Sequence, residues 1–158
     1  MLMELVNLAL ASLLGILYMF LYIIIINKFL KGFATKKNNA ILILFTGAIF
    51  SAGINLNHVS ELSSAAFHFY FGNSNLLMAI LSYVIFFSSM FVFSYVFFVS
   101  SFTFIGALTK ENESAELAKN NIEIAIIHAS ILIILSFVIA PALISFATQF
   151  IPYPKTPF

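Results

Sequence analysis

Along the chain, long apolar runs alternate with short polar connections, at a spacing that predicts helices crossing a bilayer. The first run covers about Leu5 to Ile26. A basic connection from Asn27 to Asn39 follows, with Gly32 placed to stop the first helix. A second run extends from about Ala40 to Ile54, and the polar and aromatic stretch from Asn55 to Asn75 reads as a second connection. A third run fills Leu76 to Leu108 and exceeds the roughly 20 residues a span needs. Thr109 to Asn121 carries charges of both signs and reads as a solvated, partly helical loop. The fourth run begins at Asn120 or Asn121 and reaches about Phe150, with Pro141 expected to kink it. Pro152, Pro154 and Pro157 make the tail extended.

Composition agrees with this pattern. The 158 residues are 62% hydrophobic and 8% charged, against about 25% charged in a soluble domain, and the mean hydropathy is +1.08. No residue from Leu62 to Thr109 is Asp, Glu, Lys or Arg. Glu4 and the length of the first run argue for a retained span rather than a signal peptide. A net charge of +1 gives no footprint for nucleic acid. The absence of cysteine rules out disulfides and thiolate chemistry.

Lysine placement predicts the topology. The first and third connections hold Lys28, Lys31, Lys36, Lys37, Lys110 and Lys119; the second holds none. The positive-inside rule then puts those two connections in the cytoplasm and both termini outside. The expected fold is an all-α integral membrane protein, a single membrane domain over 1–158 in the bacterial inner membrane. Its four transmembrane helices form two tandem helical hairpins. Repeat units of about 5–56 and 76–150 follow from the gapless superposition of Lys28 on Lys110, Lys37 on Lys119, Asn38 on Asn120 and Asn39 on Asn121. Tandem units of one orientation are related by an axis along the membrane normal, which argues against an inverted-repeat transporter.

Small residues mark expected helix contacts: Ala11 with Gly15, Gly47 with Ser51, and Ala48 with Ala52. The second helix is therefore expected to be buried among others. In the third span, Ser82 and Ser89 lie on one face and suit either close packing or a polar solute path. Thr46 and His128 extend that candidate path, and Glu123 stands at its mouth. Glu123 would cost about 2.5–3.5 kcal/mol at the bilayer centre, but it is one turn inside its helix, where it is expected to pair with Lys119. Five residues on, His128 points about 140° away from Glu123. Its partner must come from elsewhere, with Thr46 or the serines of the third span as candidates. Lys37 and Asn38, with Lys119 and Asn120, are the expected cytoplasmic helix starts.

A charged loop leading into Asn, then an aliphatic run, then spaced small residues recurs in both units. Asn38, Gly47 and Ser51 form it in the first, and Asn120 with Ala129 in the second, where His128 stands in the place of Thr46. In these features the chain resembles the bacterial inner-membrane domain-of-unknown-function family numbered 350, the YjfL-like proteins. The resemblance spans nearly the whole chain and implies no established activity. No hydrolase, metalloprotease or phosphate-loop motif is present, so no catalysis, cofactor or metal is expected. The expected function is that of a small non-enzymatic membrane protein, a homo-oligomer or a subunit among other membrane subunits. An ion- or proton-linked channel or transporter, and a membrane-disrupting effector, are the alternatives.

Overall fold

The computed structural model describes residues 2–32, 38–109 and 112–147. They form five helices: α1 (Leu2–Lys31), α2 (Asn39–Gly72), α3 (Leu76–Thr109), α4 (Glu113–Ala118) and α5 (Ile122–Ala147), with no strand among them. Four are long and apolar enough to cross a membrane. The protein is therefore an all-helical, multi-pass membrane protein. Lys36, Lys37, Lys110 and the proline-bearing tail lie outside the described residues.

The hub is α2, which packs against α1, α3 and α5; α1 and α5 do not touch. At 34 residues it is about 51 Å long. The segment expected as the second loop is helix as far as Gly72, and only Asn73 to Asn75 turn the chain. The polar residues that suggested a loop lie mostly on one side. Asn57, Glu61 and His68 are exposed, while Val59, Leu62, Ser63, Ala66 and Phe67 are buried at helical spacing. No Gly or Pro interrupts Ile54 to Phe71, so the backbone ladder continues wherever one face has a neighbour to pack on.

Helices α1 and α3 run parallel, as successive contacts show: Tyr83 donates to Asn7 Oδ1, Tyr18 meets Ser94, and Phe29 packs edge-on against Phe98. The pair α2 and α5 is parallel too. The Ala40 amide donates to Asn120 Oδ1 at 3.0 Å, Gly47 abuts Ala129, and the Ser51 and Ser136 hydroxyls are 2.5 Å apart. A Cβ on Gly47 would stand 2.4 Å from Ala129 Cβ, so the absent side chain is what allows the two backbones to meet. Gly15 is less constrained, with a Cβ there in ordinary contact with Leu56 at 3.7 Å.

The start of α2 and α4 meet at one end of the bundle, where Asn38 Nδ2 donates to the Leu117 carbonyl at 2.7 Å. Toward the other end the start of α1 is tied to the second half of α2, with Asn7 Nδ2 donating to Ser64 Oγ at 2.8 Å.

Candidate functional site

The lysine-bearing end holds the site. Asn38 caps α2, its Oδ1 accepting from the Ile41 amide at 3.0 Å while its Nδ2 reaches Leu117. Asn120 has φ 65, a conformation that asparagine tolerates better than most residues, and this turn lets its side chain reach the start of α2. The cap of α5 is Asn121, whose Oδ1 accepts from the Ile124 amide at 3.3 Å. The two asparagine pairs matched in the sequence thus play different parts: Asn38 caps its helix and Asn120 crosses to the other one.

Between these ties sits α4. Asn112 caps it, accepting from the Ala115 amide at 3.3 Å. Glu113 and Leu117, four residues apart, point inward and are buried. Glu116 turns outward and accepts from Lys119 Nζ at 2.7 Å and from Asn121 Nδ2 at 3.1 Å. The lysine bond first, then the Asn121 bond, hold the Glu116 carboxyl below its usual range.

Six residues after the start of α5, His128 is fully buried, and its Nε2 lies 2.8 Å from Glu113 Oε2. The Phe102 ring of α3 lies over the imidazole with centroids 4.6 Å apart. Under this aromatic cover the carboxylate oxygen stands within ion-pair distance of the imidazole. No cluster of three His, Cys, Asp or Glu that would hold a metal occurs among the described residues.

The partner of His128 is therefore neither Thr46 nor a serine of the third span. Thr46 is exposed and donates to the Leu42 carbonyl of its own helix at 2.9 Å. Ser89 is exposed, and Ser82, though buried, donates to the Ala79 carbonyl at 2.7 Å. The buried stripe of α3 runs through Ala79, Tyr83, Phe87, Met90, Ser94, Phe98, Ser101 and Ile105, and Ser89 falls outside it. Glu123 is exposed in the first turn of α5, and Lys119 turns to Glu116 instead.

A second polar cluster lies deep in the bundle. Ser94 Oγ is 2.7 Å from the Tyr18 hydroxyl and accepts from Asn55 Nδ2 at 2.8 Å. Tyr22 donates to the Ser94 carbonyl at 3.5 Å. Tyr18 and Tyr22 come from one face of α1, and Asn55, which reads as the start of a loop in the sequence, reaches this cluster because α2 continues past it.

No curated protein and no solved structure matches the chain. The α2–α5 seam and the turn at Asn38 both fall within residues 1–143, which match the family described as Domain of Unknown Function (DUF350), and the chain belongs to that family.

Proposed function

We propose that this protein is a non-enzymatic component of a bacterial inner membrane that acts by assembly. Copies associate through the face of α2 that α1 and α5 leave open. Two hollows flank this face. One, of about 850 Å³, lies between α1 and α2 beside Gly15, Gly53 and Ser60; the other, of about 670 Å³, lies between α2 and α5 beside Gly53, Phe137 and Pro141.

The observation that carries the proposal is Gly53, which lies between the hollows and where a Cβ would meet nothing within 4 Å. The same face carries ridges as well as hollows. Ile16, Phe20 and Phe50 stand out beside the hollows, 70%, 60% and 64% exposed, so a two-fold axis along the membrane normal sets the ridges of one copy into the hollows of the other. Asn57, which lines both hollows, gains a polar neighbour in such a pair. The lysine-bearing end faces the cytoplasm in this arrangement, by the positive-inside rule.

The chain has no cysteine, so single-cysteine crosslinking is clean. Gly53→Cys is expected to form a disulfide-linked dimer on oxidation in native membranes, and Val92→Cys, on the exposed side of α3, is not. Gly53→Trp is expected to shift the native-lipid extract toward monomer. A monodisperse monomer from the unmodified chain, with no Gly53→Cys crosslink, overturns the proposal.

A further inference from the structure

We propose that Asn55, Ser94, Tyr18 and Tyr22 bind one water molecule in the middle of the bundle, where it joins α1 to α2 and α3. Each of the four side chains is 3% exposed or less. Tyr18 follows Leu2, the first residue of α1, by 16 positions, and Asn55 follows Asn39, the first of α2, by the same 16. The two helices start at opposite ends, so the cluster lies about 24 Å from either start. Bulk water does not reach it there.

The hydrogen bonds of the cluster leave one donor and one acceptor over. Ser94 Oγ accepts from Asn55 Nδ2 at 2.8 Å and meets the Tyr18 hydroxyl at 2.7 Å. Two hydroxyls bring two protons to that contact, and the bond between them uses one. Ser82 and Ser101 of the same helix turn their protons onto the carbonyls of Ala79 and Phe98, at 2.7 Å each. Among the described residues no carbonyl accepts from Ser94 or Tyr18 in this way. Asn55 Oδ1, for its part, has no donor among them.

One water molecule completes both. It accepts the spare hydroxyl proton and donates to Asn55 Oδ1, as buried waters do for polar groups that the chain leaves unpaired. Tyr22, its ring stacked on Tyr18 with centroids 6.1 Å apart, makes only a long bond to the Ser94 carbonyl, 3.5 Å, and its oxygen is left to accept the second hydrogen of the water. Water also suits the site whichever way the Asn55 amide is turned, because it can donate to the oxygen or accept from the nitrogen. A cation is the poorer occupant: none of the four side chains is a carboxylate, and a charge in so apolar a setting needs a partner.

Water-edited magic-angle-spinning NMR of the labelled full chain in lipid bilayers tests the proposal, because polarisation starting on water reaches only the carbons beside it at short mixing times. Ser51 and Ser136 are the internal standard. They are as buried, 5% and 3% exposed, and their hydroxyls bond to each other, so exchange of hydroxyl protons affects them equally. Transfer to Ser94 Cβ and Asn55 Cγ is expected to be several-fold stronger than to Ser51 Cβ and Ser136 Cβ. In Asn55→Leu the Ser94 signal is expected to fall to the level of that standard. Far-UV circular dichroism checks that the variant folds, and the native chain decides by itself if it does not. Replacing sodium by N-methylglucamine is expected to leave the Asn55 resonances in place. Native transfer to Ser94 and Asn55 no stronger than to Ser51 and Ser136, a folded Asn55→Leu chain that keeps the Ser94 signal, or a shift of Asn55 when sodium is withdrawn overturns the proposal.

Discussion

Gly47 shows how much a single atom decides in this bundle. In a helix, Gly→Ala ordinarily gains about 0.8–1.0 kcal/mol from propensity. Here the new methyl stands 2.4 Å from Ala129 Cβ and 2.8 Å from its Cα, and overpacking of this kind costs typically about 1–3 kcal/mol. The clash wins, so Gly47→Ala is expected to lower the unfolding midpoint in detergent, and Ala129→Gly in the same chain is expected to recover part of it. The Glu116 carboxyl makes a different prediction. Because its partners lower its pKa, its contribution is present above the unfolded-state value and is lost as pH falls through the folded one. An NMR titration of the Glu116 side chain is expected to move up toward the ordinary range in Lys119→Met. The identity of His128 as a buried residue in need of a partner was legible from its place in an apolar run. Its partner was not: Glu113 is one of three glutamates in a charged loop, and nothing local marks the one that turns inward.

At the scale of elements, α2 differs most from its sequence reading. Its small residues predicted burial, and Gly47, Ala48, Ser51 and Ala52 are indeed buried. Its length was missed because the polar residues after Asn55 look like a connection when no neighbour is known for their other face. That continuation brings Asn55 to Ser94, and two helices, α1 and α2, then depend on one hydroxyl of α3. Ser94→Ala leaves Tyr18 and Asn55 short of a partner, at about 1–3 kcal/mol for a buried group left unsatisfied. Ser136→Ala removes one bond, to Ser51, of a kind that averages about 0.6 kcal/mol between membrane helices. Thermal unfolding in lipid nanodiscs is expected to rank Ser94→Ala as the more damaging, and the reverse order would put the weight of the bundle on the α2–α5 seam. For α4, the charged loop predicted partial helix but also solvation. Leu117 and Glu113 are buried because α3 and α5 offer them a floor.

For the molecule as a whole, the open front of α2 is the feature with consequences. With α1 and α5 apart, one side of the hub is covered only by what surrounds the protein, and a second copy is the occupant we propose. Spans, their number and their small-residue seams were decided by the sequence alone. Roughly 20 apolar residues in a row have no other stable place than a bilayer, and backbone groups there must pair within their own helix. The tertiary structure decided which helices touch, where α2 ends, and that Glu113 meets His128. Those outcomes depend on contacts between residues distant in the chain, and in a sequence so uniformly apolar each helix has several faces that would serve equally well until a neighbour selects one.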